Sequence, residues 1–189
     1  MTTLPLYFAL LACVGLERIA ELVISSRNAA GTFARGGVET GKRHFVVMTL
    51  VHALFLPSCF LEAWLLDRPF PGGIGVAALV LALLAMSLRW WAVRSLGDRW
   101  NVRIVYVPGE VPVVAGPYRF LRHPNYLAVV VELFSLPLVH GAWATSAVFT
   151  LLNAGLLWVR IRAEEEALGP LYAQTFSGVG RFTPGARHG

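Results

Sequence analysis

Charged residues are scarce in this chain. Only 14% of its 189 residues are Asp, Glu, Lys or Arg, whereas soluble globular domains usually carry about 25%. Hydrophobic residues make up 56% of the sequence, and the mean hydropathy is +0.61. This balance argues against an ordinary soluble enzyme, a disordered chain or a solenoid. It predicts an all-α fold, a polytopic membrane bundle of helices.

Cysteine is also rare, and the spacings of common metal sites are missing. Cys13 and Cys59 lie far apart inside apolar runs and form no C-x-x-C pair, which excludes a disulfide framework. His44 and His52 are eight residues apart and have no convincing third ligand. We therefore expect no metal.

One glycine-rich stretch, residues 73–78, fits the dinucleotide fingerprint G-x-G-x-x-A. That fingerprint needs a preceding strand and a soluble helix start to hold a pyrophosphate. Here Pro69-Phe70-Pro71 precedes it and an apolar run follows. We interpret the stretch as the start of a membrane helix.

Long apolar runs predict the membrane segments. Residues 5–24, 45–66 and 72–93 are each close to the roughly 20 residues that cross a bilayer. The run 126–159 is too long for one crossing, and Pro137 with His140-Gly141 predicts a break in it. The expected result is a hairpin of helices at about 126–139 and 142–163, and five membrane segments in total. In the intervening loop 94–125, residues 102–107 predict a small β-hairpin or an extended chain.

We expect residues 1–189 to form a single membrane domain, with three helices in 1–93 and the loop, hairpin and tail in 94–189. Lys and Arg flank segments one, three and five, while the hairpin tip has none. The positive-inside rule then places the N-terminus outside and the C-terminus in the cytosol. Loop 94–125 and tail 164–189 would share the cytosolic side. The arginines are not interleaved with stacking aromatic residues, so we expect no nucleic-acid binding.

Ionisable side chains also occur inside the apolar runs. They are Glu17, Arg18 and Glu21 in the first segment, and His52, Arg89 and Glu132 in the next three. Such groups are costly at membrane depth and usually line an interior site. Mutual pairing with snorkelling towards the interface is an equally good explanation. Both interpretations stay open at this level.

The stretch 116–126 directly precedes the fourth segment and is dense in polar and aromatic groups. Pro124 suits a helix start, where its missing N–H costs least. The free N–H groups that follow can hold an anion, and Arg122 and His123 add donors. The alternative is that these Arg, Tyr and His side chains anchor the helix at the membrane interface.

A second polar stretch, residues 160–166, ends the fifth segment. Arg160 and Glu164 are four residues apart on one helix face, as are Arg162 and Glu166 on another. One interpretation is two surface ion pairs. The other is that a closed hairpin brings Arg160 and Glu164 beside the start of the fourth segment, around one cytosolic cleft with His123 and Tyr126.

Together the two stretches resemble the isoprenylcysteine carboxyl methyltransferase family of integral membrane enzymes. The family pattern is G-x-Y-x-x-x-R-H-P-x-Y, a membrane hairpin, then R-x-x-x-E-E-x-x-L, a pattern that phospholipid methyltransferases share. This chain supplies the pattern with Gly116, Tyr118, Arg122, His123, Pro124, Tyr126, Arg160, Glu164, Glu165 and Leu168. The family's F-G-x-x-Y continuation is compressed here to residues 168–172.

The resemblance implies S-adenosylmethionine as the cofactor. It also implies a role for each matching residue. The cofactor would contact Tyr118, His123, Pro124, Asn125, Tyr126 and Glu164, with Val113 in the same binding strip. Arg160 would be catalytic, facing the substrate and the transferring methyl group.

A narrower resemblance lies in the N-terminal half, at Glu17-Arg18, Glu21-Leu22, Ser26-Arg27-Asn28, Gly37-x-Glu39-x-Gly41 and His44. At these positions the chain is similar to a bacterial subgroup of the family. Members of that subgroup O-methylate alkylpyrones or phenolic lipids and are associated with type III polyketide synthases. We expect an enzyme of the bacterial inner membrane, its site facing the cytosol. Its acceptor would be an acidic oxygen of a lipophilic substrate entering from the bilayer, either an isoprenylcysteine-like carboxylate or an alkylpyrone. No obligate protein partner is evident.

Three other functions stay open from the residues alone. A phospholipid N-methyltransferase shares the same pattern, and membrane lipid or sterol reductases that use NADPH have a related C-terminal half. A small membrane scaffold would use its buried charges only for helix pairing. Methyl transfer itself needs alignment more than covalent help from the protein. The sequence offers no persuasive general base, which favours an acceptor that is already ionised.

Overall fold

The computed structural model describes residues 3–185, with the side chain of Arg43 left out, so the predicted tail 164–189 is seen as far as residue 185. Five α-helices account for most of this part of the chain. They are α1 (Leu4–Ala34), α2 (Lys42–Leu65), α3 (Gly73–Leu96), α4 (Pro124–Leu138) and α5 (Trp143–Thr175). Two short strands, β1 (Val38–Thr40) and β2 (Ile104–Tyr106), pair antiparallel.

The bundle exposes apolar side chains on its outside. Leu6, Leu84 and Leu151 are 70%, 60% and 74% exposed, a distribution that suits a surface in contact with lipid. In the described part, α2, α3 and α5 are long and apolar enough to cross a membrane. The predicted all-α membrane bundle is therefore confirmed. Helix α1 has 31 residues but carries four charged groups, and α4 has only 15 residues, so their crossing stays a prediction.

Helices α3 and α4 pack closely because α3 presents a stripe of small residues. The residues of α3 that are buried recur every three or four positions, and most of them are glycine or alanine: Gly75, Ala78, Ala82, Ala85, Arg89, Ala92 and Val93. Small residues let two membrane helices approach closely. A Cβ on Gly75 would lie 2.9 Å from the carbonyl oxygen of Val139. The G-x-G-x-x-A stretch therefore forms the start of α3 and serves helix packing. This agrees with its interpretation as the start of a membrane helix.

One boundary of the predicted hairpin, the end of α5, differs clearly from that expected. The hairpin turn lies at residues 139–142, close to its predicted place, but α5 continues to Thr175 instead of ending near 163. Hydropathy marks where a helix leaves the apolar layer, while the helix itself continues through the Glu-rich run. At Gly169 the backbone bends (φ 70°), just before Pro170, which cannot continue the hydrogen-bond ladder.

Strand β2 also differs from the expectation. We expected residues 102–107 to form a local hairpin or an unpaired extended chain. Instead Ile104–Tyr106 pairs with Val38–Thr40 of the loop after α1. Arg103 reinforces this join, because its guanidinium lies 3.1 Å from the carboxylate of Glu39. The two long loops are thereby held at the same end of the bundle.

Gly116 sits where only glycine fits, because its φ is +56° and a Cβ would collide with the side chain of Ser95. We expect Gly116→Ala to destabilise the protein by at least about 1–2 kcal/mol, the cost of a left-handed L-residue alone. Thermal unfolding in detergent measures the loss. Gly155→Ala is the control, since nothing lies within 4 Å of that position and alanine favours a helix. Equal midpoints for the two variants would contradict the prediction.

Candidate active site

A polar cavity opens at the end of the bundle where α3 ends and α4 begins. It encloses about 1030 Å³ of empty space, counting its open mouth. Six of the predicted residues line it together: Val113, Tyr118, His123, Asn125, Tyr126 and Glu164. Pro124 is not among the lining residues. It is fully buried as the first residue of α4, so its place is in the helix start rather than on the cavity wall.

Arg160 lines a second, smaller recess of about 380 Å³, which shares Tyr126 and Glu164 with the first. Its side chain is buried and firmly held. The guanidinium Nε donates to the hydroxyl of Tyr126 at 2.7 Å, and Nη2 donates to the carbonyl oxygen of Val102. The Tyr126 hydroxyl in turn donates to the carboxylate of Glu164. Arg160 and Glu164 are thus joined through a phenol that stands between the two recesses.

This arrangement decides between the two interpretations of the stretch 160–166. Among the described residues, neither expected i,i+4 ion pair forms. Arg160 bonds Tyr126 instead, and the guanidinium of Arg162 lies over the ring of Trp158, 4.2 Å from its centroid. The hairpin is closed, which brings the end of α5 beside the start of α4. Helix pairing alone would not require Arg160 to turn inwards.

Burial and charge set the state of Tyr118, which lies in a short 3-10 turn (Gly116–Arg119) before α4. Burial, with the nearby carboxylate of Glu164, raises the pKa of the Tyr118 hydroxyl well above its usual range. The phenol therefore stays neutral at physiological pH. It presents a hydroxyl and an aromatic face to the cavity without adding charge.

His123 is fixed from three sides. Its ring stacks on Tyr126, with centroids 5.3 Å apart, and tilts against Tyr172 at 6.2 Å. Its Nε2 lies 3.0 Å from a carboxylate oxygen of Glu165. Because a carboxylate only accepts, Nε2 carries the hydrogen in this contact. We assigned no role to Glu165 from the sequence beyond its place in the motif.

Several wall residues escaped the sequence analysis. Trp100, Tyr172 and Phe176 also line the cavity, and all three are buried. Trp100, in the loop after α3, and Phe176, just after α5, have no motif signal, whereas Tyr172 ends the compressed F-G-x-x-Y continuation. An aromatic residue in a polar loop was the only available hint for Trp100.

Two polar atoms on the cavity wall lack a partner. The indole Nε1 of Trp100 and the amide Oδ1 of Asn125 are buried and make no hydrogen bond. Buried donors and acceptors without partners are rare and costly in native proteins. One donor, one acceptor and several aromatic faces fit a nucleoside, which offers both hydrogen-bond types and a flat ring. The residues present therefore suit a cofactor of the S-adenosylmethionine type.

The charged groups of the membrane interior form a separate cluster. Arg89 lies 2.9 Å from Glu132 and 3.5 Å from Glu21, and Arg18 lies 2.9 Å from both Glu17 and Glu21. None of these residues lines either recess. The contacts are those of mutual pairing among α1, α3 and α4.

A membrane bundle that carries a polar cavity beside a buried arginine has the construction of a membrane enzyme. The sequence profile of the isoprenylcysteine carboxyl methyltransferase (ICMT) family matches residues 78–170. This range includes most of α3, the loop, α4, and α5 as far as its bend. The chain belongs to this family, and it is a membrane methyltransferase.

Three relatives extend the comparison. The protein YpbQ of Bacillus subtilis (strain 168) is 37% identical over 86% of this chain and 96% of its own length. A protein of Haemophilus influenzae (strain ATCC 51907 / DSM 11121 / KW20 / Rd) is 29% identical over 87% of this chain and 95% of its own. Both carry the description "uncharacterized". The heme-binding subunit MsrQ of a protein-methionine-sulfoxide reductase from Rhizobium meliloti (strain 1021) is 46% identical, but over only 34% of this chain and 30% of its own.

Proposed function

We propose that this protein transfers a methyl group from S-adenosylmethionine to an acidic oxygen of a lipophilic substrate dissolved in the membrane. The observation that carries the proposal is the pair of recesses that meet at Tyr126 and Glu164. One recess has the aromatic and unpartnered polar groups that suit a nucleoside. The other contains a buried, oriented arginine. A donor and an acceptor held on the two sides of this boundary would be in proximity.

The first recess offers the groups that would hold the cofactor. Glu164 would take its ammonium or ribose hydroxyls, and Asn125 and Trp100 would pair with ring atoms. His123, which lines the same recess, would contact the cofactor with its ring held in place by Glu165. When bound, the cofactor supplies a methyl group on a sulfonium sulfur, which keeps the electron pair of the breaking C–S bond as the new C–O bond forms.

Arg160 sets the chemistry of the acceptor. It is 4% exposed, so its charge acts in a medium of low dielectric constant, where it favours an anion strongly. A carboxylate, an enolate or an acidic phenolate would accept hydrogen bonds from the guanidinium. An acidic oxygen is already ionised at neutral pH and needs no general base. An ammonium group would be repelled, which disfavours N-methylation.

The acceptor's apolar chain would lie in the bilayer. The outward faces of α2 and α5 are apolar, with Leu54 60% and Leu151 74% exposed. A lipid tail in contact with these faces stays out of water while its polar head reaches Arg160. Isoprenylcysteine-like carboxylates and alkylpyrones both have this form. We place the site at the cytosolic face of the bacterial inner membrane, with the N-terminus outside.

Incubation of membranes with a methyl-labelled donor and a panel of lipophilic acids, phenols and amines tests the proposal. We expect label in O-methyl products of acidic acceptors only. Binding of labelled S-adenosylmethionine, without binding of NADPH, separates this function from a reductase. Labelled N-methyl phospholipids would contradict the choice of acceptor, and no cofactor binding at all would contradict the proposal itself.

Glu164→Gln tests the cofactor side of the site. The amide keeps the shape and an acceptor for Tyr126 but loses the charge, and charge-assisted hydrogen bonds contribute about 1.5–3 kcal/mol. We therefore expect the dissociation constant for S-adenosylmethionine to rise by about tenfold or more, measured by equilibrium binding in detergent. Glu166→Gln is the matched control, because Glu166 is exposed on the same helix and lines neither recess. An unchanged dissociation constant in Glu164→Gln would remove Glu164 from the site.

A further inference from the structure

The chain beyond the bend of α5 forms part of the cavity wall. After Gly169 and Pro170 the helix turns, and Tyr172, Phe176 and Val179 become buried. Their side chains pack in one cluster with Tyr118 and Ala92. Tyr172 and Phe176 line the cavity directly. We call residues 176–185 the C-terminal strap.

Backbone hydrogen bonds hold the strap against the motif stretch before α4. The amide of Arg122 donates to the carbonyl of Gly180 at 3.0 Å, and that of His123 donates to Arg181 at 3.2 Å. The amide of Gly185 donates to Phe120 at 3.3 Å. The strap therefore lies alongside residues 120–123, which carry the most polar part of the site.

Glu165 connects the strap to the cavity. Its Oε1 accepts from Arg181 Nε at 2.9 Å and from His123 Nε2 at 3.0 Å, while its Oε2 accepts from Arg181 Nη2. The contact between Arg181 and Glu165 is thus a bidentate guanidinium–carboxylate pair, the strongest common form of ion pair. Arg181 is on the surface with its side chain 42% exposed, whereas the His123 side chain is 3% exposed. One carboxylate thus joins a surface residue of the strap to a buried residue of the cavity.

We infer that Glu165 and Arg181 are positioning residues, which hold the strap closed over the cavity and fix the imidazole of His123 within it. The inference deepens the proposed function and rests on it, because the cavity must hold the cofactor for the strap to matter in binding. Without Arg181 the strap loses its only described side-chain ion pair. Glu165 would then be free to move away from His123, and the imidazole would lose its fixed orientation.

Arg181→Ala is the direct test. We expect the dissociation constant for S-adenosylmethionine to rise by about tenfold, from loss of a charge-assisted pair. The KM for the acceptor and the kcat at saturating cofactor should change by less than about twofold, because Arg160 and its recess are untouched. Arg181→Lys should restore only part of the affinity, since lysine keeps the charge but not the bidentate geometry. Arg162→Ala, which removes an exposed arginine of α5, should leave all three constants unchanged.

Chymotrypsin cleavage after Phe176 provides a readout of the strap itself. In the wild-type protein the cofactor should slow cleavage, and in Arg181→Ala it should slow cleavage much less. Glu165→Gln combined with Arg181→Ala should add little to either single change, because both variants break the same pair.

The possible outcomes distinguish a failure of the proposed function from a failure of the positioning role. Wild-type protein that binds no S-adenosylmethionine overturns the proposed function. Wild-type protein that binds it, while Arg181→Ala and Arg181→Lys bind it equally well, overturns the positioning role alone. If a variant loses abundance and every activity in proportion, while its dissociation constant is unchanged, the replaced residue has a structural role. That outcome also overturns the positioning role.

Discussion

Replacing Arg160 with alanine should lower kcat by about 10²–10³-fold, while the dissociation constant for S-adenosylmethionine changes little. The expected size is that of removing one preorganised donor from the reacting oxygen in an enclosed site. Arg160 lines the smaller recess and is held by Tyr126 and the Val102 carbonyl. Its donors are thus oriented before the acceptor arrives. Single-turnover methylation, with cofactor binding measured separately, checks the prediction.

Two further variants make the Arg160 test specific. Arg160→Lys keeps the charge but loses the planar fork, so its kcat should fall between those of the wild-type protein and Arg160→Ala. Arg162→Ala removes a neighbouring arginine that lies over Trp158 on the lipid-facing side, and its kcat should be unchanged. If Arg160→Ala kept full turnover, or lost it only through weaker cofactor binding, Arg160 would not be the catalytic residue.

Replacing Arg89 with alanine should destabilise the bundle by about 3–5 kcal/mol, the usual cost of leaving a buried charge without its partner. Arg89 is 5% exposed and bridges Glu21 of α1 and Glu132 of α4. Its loss leaves the buried carboxylate of Glu132 with only Arg18, 3.8 Å away, while Glu21 keeps Arg18 at 2.9 Å. Membrane abundance and the unfolding midpoint in detergent should both fall.

Arg94→Ala is the matched control for Arg89. It removes an arginine from the same helix, but Arg94 is exposed and lies only over the ring of Trp90, 5.9 Å from its centroid. Exposed pairs of this kind contribute little, so abundance should stay near that of the wild-type protein. Normal stability in Arg89→Ala would mean that the interior charges serve something other than helix pairing.

Local patterns were sufficient to predict much of the architecture. Apolar runs predict the membrane helices, because a bilayer fixes their length and composition. Pro137 and Gly141 predict the hairpin turn, and the structure places it at residues 139–142. The two motif stretches indicate the ICMT family, and the family profile covers both of them. One of the two interpretations of the sequence also makes Arg160, Glu164, His123 and Tyr126 neighbours, because a closed hairpin brings the ends of its helices together.

Contacts between distant parts of the chain could not be predicted in this way. The pairing of β1 with β2, the orphaned atoms of Trp100 and Asn125, and the position of the C-terminal strap have no local signature. A direct ion pair between Arg160 and Glu164 was one of two interpretations of their spacing, but Tyr126 from another helix stands between them. Side-chain direction depends on which partner offers the better hydrogen bond after packing. In this protein, the two motif stretches of the sequence indicate most of the residues that reach the site, and only the tertiary structure decides which of them bond to one another, because those partners lie far apart along the chain.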